Sequence, residues 1–196
     1  MDNHHYQLLC ENFTRVVPFA LDELRAAQPY FRFKTYEPNA YLFSAGDVVR
    51  DVHFLLEGIG RYFYIDKEGR ERNKSLVRKG GAFSSVSSLV DGQPSPFFTQ
   101  ALTECTVGSI EYSRLIELSE THRHWSEFLR RIFERLVIKK ETREAGFLLL
   151  SARERYEAFL AEFGEDCGRI SLRQIAMYLG VTDVTLSRIR KEMGLT

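Results

Sequence analysis

The chain is 196 residues long, 44% hydrophobic, and balances 27 basic against 27 acidic residues. That length accommodates one large or two small domains with a real core. No stretch approaches the roughly 18 uncharged apolar residues of a membrane span, and Met1–Tyr6 has no basic segment leading an apolar run, so no membrane partner and no secretion signal are expected. Cytoplasmic placement follows. The three cysteines, Cys10, Cys105 and Cys167, are odd in number and widely spaced. They suit a reducing compartment and offer neither a disulfide framework nor a Cys-x-x-Cys metal knuckle.

From about Asn12 to Ala27 the apolar positions read as helix, split in two by Pro18. The pattern then becomes β. Phe31–Tyr36 alternates with period two, and short apolar runs follow at Tyr41–Phe43, Val52–Leu56, Arg61–Ile65, Lys74–Val77, Thr99–Leu102 and Thr106–Glu111. Turn signals separate them at Pro38-Asn39, Ala45-Gly46-Asp47, Glu57-Gly58, Asp66–Gly69 and Lys79–Gly81. Short strands so spaced predict a β-sandwich or jelly-roll barrel. The serine-rich stretch from Ser84 to Pro96 reads as a loop, either at a barrel mouth that holds a ligand or as a plain polar connection.

Arg114–Leu118 reads as a short helix and Trp125–Leu150 as a long one. Along the latter, Trp125, Leu129, Ile132, Leu136, Lys139, Arg143, Gly146 and Leu150 step by three or four, as a coiled-coil seam does. One face of this helix is assigned to the barrel and the other to a second copy of the chain, with Trp125, Leu129, Ile132 and Leu136 at the dimer interface. Ser151 caps a further helix through Phe163.

Ser171–Glu192 reads as two short helices joined by a tight turn. Ser171 is an N-cap, Ile175, Ala176 and Leu179 share an apolar face, and Gly180 ends the first helix. Thr182 caps the second, with Leu186 and Ile189 inward. Ala176 keeps the crossing open for two helices that meet at about 90–120°. This is the pattern of a DNA-binding helix-turn-helix. From Arg169 onward five basic residues face two acidic ones, so positive charge gathers where phosphates would be met. The candidate double-stranded DNA contacts are Arg173, Thr182, Asp183, Val184, Thr185, Ser187, Arg188, Arg190 and Lys191. Asp183, Val184, Ser187 and Arg188 are placed at base edges, Thr182 and Thr185 at phosphates, and Arg173, Arg190 and Lys191 supply salt-dependent affinity.

Jelly rolls also carry metal enzymes, but those need two or three histidines and a carboxylate converging in the barrel. Of His4, His5, His53, His122 and His124 only His53 falls in a predicted strand. No catalytic residue, metal ligand or cofactor is assigned, and no enzyme is expected. A ligand-sensing or protein-docking module that has lost specific DNA binding is the alternative.

Barrel, long helix and helix-turn-helix, in that order, resemble the Crp/Fnr family of bacterial transcription regulators over nearly the whole chain. The residues behind this are Gly46-Asp47, Leu55-Leu-Glu-Gly58, Gly80-Gly-Ala-Phe83, Cys105–Tyr112 and Val181–Arg188. The resemblance implies an α+β chain. Residues 1–120 would form a cyclic-nucleotide-binding-like jelly roll, 121–150 the dimerisation helix and 151–196 the DNA-binding domain. It also implies a homodimer on a palindromic operator, contact with RNA polymerase, and a small-molecule effector held between barrel and long helix.

The departures concern that effector. Cyclic-nucleotide-binding members hold the ribose and cyclic phosphate with Gly-Glu and Arg-Ser pairs. Here Ser84-Ser85 and Ser95-Pro96 stand at those places, and the base-contacting Thr-Ser of the long helix falls near Lys140-Glu141. Ser84, Ser85, Ser95, Lys140 and Glu141 therefore outline an effector pocket without the phosphate-neutralising arginine, so cyclic AMP is not the expected effector. Nor is an iron–sulfur cluster, because Cys10 stands alone. With the sequence ending at Thr196, the wing that often follows the recognition helix is expected to be missing or vestigial.

Overall fold

The structure, a computed structural model, describes residues 2–195. Two helices lead: α1 (Asp2–Thr14) and α2 (Leu21–Ala27), parted by the turn that contains Pro18. α1 begins ten residues before the helix read from the sequence. Its polar residues thin the apolar signal, yet Tyr6, Leu9 and Phe13 recur on one buried face.

Seven strands follow: β1 (Arg32–Tyr36), β2 (Asp51–Glu57), β3 (Ile59–Ile65), β4 (Glu71–Arg78), β5 (Ala82–Phe83), β6 (Phe98–Ala101) and β7 (Cys105–Glu111). They form two antiparallel sheets, β1-β7-β2-β5 and β4-β3-β6. Gly58 joins β2 to β3 at a φ of 95°, and a Cβ there would lie 2.1 Å from the Glu104 carbonyl oxygen. Only glycine fits that turn. Tyr41–Phe43, expected as a strand, makes a single bridge from Tyr41 to Gln100. Phe43 is tied instead by Thr99, whose Oγ1 accepts from the Phe43 amide at 3.0 Å. The serine-rich stretch, expected as loop, winds into helix α3 (Val86–Asp91), closed by Gly92 in the left-handed region.

β3 and β4 do not pair evenly. Tyr62 faces Ser75 and Phe63 faces Asn73, which leaves Lys74 as the extra residue of a β-bulge.

Helix α4 (Tyr112–Thr121) leads into the long helix α5 (Arg123–Leu149). The N-terminal half of α5 belongs to the chain's own core. Trp125 is 0% exposed and packs edge-on to Phe13 and against Phe19, with ring centroids 5.5 and 4.8 Å apart. Phe128 joins them, and Leu129 and Ile132 lie partly buried against the same cluster. Trp125 is therefore not a dimer contact, and Leu129 and Ile132 spend much of their surface at home. Spacing by three and four reveals a stripe but not its partner. The side of α5 that remains exposed and apolar lies further on, at Val137, Ile138, Leu148 and Leu149.

Helix α6 (Ala152–Phe163) opens with a complete capping box, Ser151 Oγ accepting from the Glu154 amide and Glu154 accepting from the Ser151 amide. A 3-10 turn over Gly164–Arg169 leads to α7 (Leu172–Leu179) and α8 (Asp183–Glu192). Their core joins Tyr156, Phe159, Phe163, Ile175, Ala176, Leu179, Leu186 and Ile189 to Ile59 of β3 and Leu76 of β4. The C-terminal helices thus share buried apolar surface with the barrel.

Candidate nucleic-acid interface and sensor face

α7 and α8 are set by local chemistry. Ser171 accepts from the Gln174 amide at 3.4 Å, and Thr182 accepts from the Thr185 amide at 3.1 Å. Gly180 closes α7 at a φ of 69°. A Cβ on Gly180 would also lie 2.8 Å from the Phe147 ring, so α5 itself presses on the turn.

The corner is held from behind by two arginines. Arg143 of α5 donates to the Tyr178 carbonyl at 2.8 Å, and Arg155 of α6 donates to the Leu179 carbonyl at 3.1 Å. Both satisfy carbonyls left open at the end of α7, where a cation is favoured. Arg143 also lies 4.1 Å from the Tyr178 ring centroid and donates to the Asn73 carbonyl of β4 at 3.3 Å. Burial pulls the Arg143 guanidinium below its usual range, and its contacts with Tyr178 oppose that.

A second clamp joins barrel to α7. Asn73 donates to the backbone and side-chain oxygens of Gln174, while Arg61 reaches Asn73 at 3.1 Å and Gln174 at 3.2 Å. Arg61 is buried, and its charge is met by Glu71 at 2.7 Å. None of Arg61, Asn73, Arg143 and Arg155 was singled out from sequence as functional. The one available signal was Arg143 standing in the apolar stripe of α5.

The opposite side of the motif is open. Thr182, Asp183, Val184, Ser187, Arg188 and Lys191 are exposed on α8, and Arg173 is exposed on α7. Thr185 is half-buried, its hydroxyl 2.9 Å from that of Thr182. Val184 is 80% exposed. The Arg188 side chain is 73% exposed and only loosely opposite Glu192, at 3.9 Å. Arg190 departs from expectation. It donates to the Tyr156 hydroxyl at 2.6 Å and to the Leu195 carbonyl at 2.8 Å, turning back onto α6 rather than outward.

The sensor residues are dispersed. Ser85 and Ser95 are buried and already bonded, Ser85 beside the Ser87 hydroxyl and Ser95 to the Phe97 carbonyl at 2.9 Å. They are not free to hold an effector. The Ser84 amide donates to the Tyr62 hydroxyl at 2.8 Å, and that hydroxyl donates to the Ala82 carbonyl at 2.9 Å. A phenol thus occupies the backbone donor that a phosphate would want. Burial drives the Tyr62 pKa far up, so the group stays neutral. Lys140 and Glu141 are both exposed, but Glu141 lines a groove on the outer side of α5 with Thr142, Ala145, Gly146, Leu149 and Leu150.

Residues 33–122 match the family model of the cyclic nucleotide-binding domain. The chain is 27% identical over 191 residues to the fumarate and nitrate reduction regulatory protein of Vibrio cholerae, covering 88% of this chain and 74% of that one. It is 23% identical over 176 residues to the global nitrogen regulator of a Nostoc species, covering 80% and 75%. In sequence the chain resembles regulators of the Crp/Fnr family over most of its length. Its fold is that of FixK2 from Bradyrhizobium japonicum, with a TM-score of 0.72, 19% identity and 84% of each chain covered. The regulator CLP of Xanthomonas campestris, described as c-di-GMP responsive, matches with a TM-score of 0.70 and 15% identity over 89% of this chain and 92% of that one. The named Crp/Fnr relatives are regulators, not enzymes. Among the described residues no helix is long and apolar enough to cross a membrane, and no cluster of histidine, cysteine and carboxylate side chains is set to hold a metal ion.

Proposed function

We propose that the chain is a homodimeric regulator that reads double-stranded DNA through α8 and answers to an effector other than a cyclic nucleotide. The observation that carries the reading is the exposed outer face of α8, fixed from behind by Arg143 and Arg155. A helix presented in this way, N-terminal turn outward and dotted with Asp183, Ser187 and Arg188, fits a major groove. Arg173 and Lys191 supply phosphate attraction; Arg190 does not. The division of labour is residues 1–120 for sensing, 121–150 for pairing and 151–196 for DNA.

Pairing falls to the far half of α5. Val137, Ile138, Leu148 and Leu149 leave an apolar stripe too large for a solitary soluble helix, and a second copy would cover it by two-fold symmetry. Cyclic nucleotides are disfavoured because Ser84, Ser85 and Ser95 are satisfied internally and no arginine stands among them. RNA polymerase is the expected further partner.

Selection of bound sequences from random DNA tests the reading. The expected product is a palindrome with half-sites about one helical turn apart, centre to centre. Recovery of no enriched sequence, at low salt and with cell extract added, would favour the sensing module without DNA binding.

A further inference from the structure

The turn between α7 and α8 rests on the edge of one ring. A Cβ on Gly180 would lie 2.8 Å from Cε1 of Phe147, with Cζ and Cδ1 of the same ring at 3.6 and 3.8 Å. The two arginines that hold the corner by its carbonyls flank this ring, Arg143 at 4.7 Å and Arg155 at 5.4 Å from its centroid. Arg143 also meets the Tyr178 ring, so it bridges the aromatic side chains of α5 and α7. Phe147 is nevertheless 43% exposed and is part of none of the three buried apolar clusters.

The link from α5 to the corner is short. α5 ends at Leu149, the Leu150 amide donates to the Gly146 carbonyl at 3.1 Å, and Ser151 already caps α6. Arg155 donates to the Leu150 carbonyl at 2.7 Å, so the side chain that grips the end of α7 also closes the link. The corner is thus fastened to the last turns of α5, and a flat, incompressible ring sets the separation. Glycine at position 180 is what lets the ring come so near.

We propose that Phe147 is a positioning residue for DNA recognition: its ring sets the distance and angle between α5 and α8, and through them the spacing of the two half-sites that a dimer reads. The inference rests on the proposed function, a dimer paired along α5 that reads DNA through α8. Two-fold symmetry repeats any tilt of α8 against α5 in the partner, so a small change at one ring is felt twice across the operator. The duplex turns once in about 10–10.5 base pairs, so each base pair added between half-sites rotates one against the other by about 34°. A rigid mount makes a dimer intolerant of that rotation, whereas a yielding one accepts it. Phe147 lies behind the turn, away from the outer face of α8, so it governs spacing and not the choice of base.

The test is a set of gel shifts with the full chain and duplexes that carry the half-site recovered by selection. The spacer is lengthened or shortened by one and by two base pairs. A change of two should weaken wild type by about tenfold or more and Phe147→Ala by only about twofold, because DNA or protein must deform in the first case and the mount yields in the second. Phe147→Tyr keeps the ring and should keep the wild-type profile. Base preference within the half-site and the sedimenting mass should be the same in all three proteins. A merely structural role would weaken every spacer equally. Phe147→Ala with the wild-type spacing profile, or with equal loss at every spacer, overturns the inference, as does a wild type indifferent to spacing. Should Phe147→Ala fail to fold, Phe147→Leu, which keeps apolar cover without the flat ring, is held to the same criteria. Wild type that binds no selected duplex sinks the regulator and the inference together, whereas a sharp profile shared by wild type and variant sinks the inference alone.

Discussion

The side-chain amide of Asn73 on β4 donates to two oxygens of one residue on α7, the Gln174 carbonyl at 3.0 Å and the Gln174 side chain at 2.8 Å. The barrel thereby holds the first helix of the helix-turn-helix by a contact spanning half the chain. Arg61 closes the group by donating to both partners. A buried network of this kind fixes orientation as well as energy, because each member is satisfied only in one arrangement.

Asn73→Ala should therefore cost about 1–3 kcal/mol, leaving Arg61 and Gln174 short of partners. Urea unfolding gives the magnitude. Amide hydrogen exchange gives the place, with protection lost first in α7 and the turn to α8. An unchanged exchange pattern there would mean that Ile59 and Leu76 hold the docking without the polar clamp.

The two halves of α5 should respond oppositely to substitution. Trp125→Ala empties a fully buried aromatic site and should cost about 3–5 kcal/mol of folding stability. Leu149→Asp alters an 80% exposed side chain and should leave the fold intact while dissociating the proposed dimer. Sedimentation of Leu149→Asp at the wild-type mass, with both dimeric, would move the pairing surface elsewhere.

Stability should also fall on mild acidification through His53. This side chain is buried in β2, its Nδ1 2.7 Å from the Ser109 hydroxyl of β7. Burial lowers its pKa, Arg32 and Lys34 push the same way, and Asp51 opposes them. The unfolded chain, titrating near about 6.5, thus takes up this proton before the folded one does. The stability is present above that value and is lost as pH falls through the lower folded pKa. Unfolding measured from about pH 7.5 to about pH 5 should show the loss, and His53→Gln should flatten the curve relative to wild type. Equal slopes in the two proteins would assign the acid sensitivity to other histidines.

What the sequence disclosed follows the range of each interaction. Ser171, Gly180 and Thr182 act within one turn of themselves, so the helix-turn-helix was legible residue by residue. Strand order was legible only as a class, and Tyr41–Phe43 misled because an apolar run bridged at one residue reads like a paired strand. The α5 stripe gave its period truly, but period does not tell what a stripe meets: Trp125 is buried against Phe13 and Phe19, far earlier in the chain. Asn73 and Arg61 carry no local mark at all. Arg190 looked like a phosphate contact because its helix position is outward-flanking. Only the fold shows Tyr156 and the Leu195 carbonyl waiting for it.

The three basic residues of α8 should separate cleanly in DNA binding. Arg188 is exposed and only loosely set against Glu192, so its planar fork is available for guanine O6 and N7. Arg188→Ala should cost about 1–3 kcal/mol and relax the preference at one guanine per half-site. Lys191 is exposed near the end of the helix, where the proposed docking on DNA would bring it to phosphates. Lys191→Ala should weaken all sequences alike and lower the slope of log affinity against log salt by about one. Arg190 binds Tyr156 and the chain end, so Arg190→Ala should lower the melting temperature while leaving the salt slope unchanged. Selection from random DNA, repeated at two salt concentrations for the three variants, decides each case. Should Arg188→Ala keep every wild-type base preference, Arg188 is a backbone contact and the reading of the operator passes to Asp183 and Ser187, whose reach is shorter and whose choice of base is correspondingly weaker.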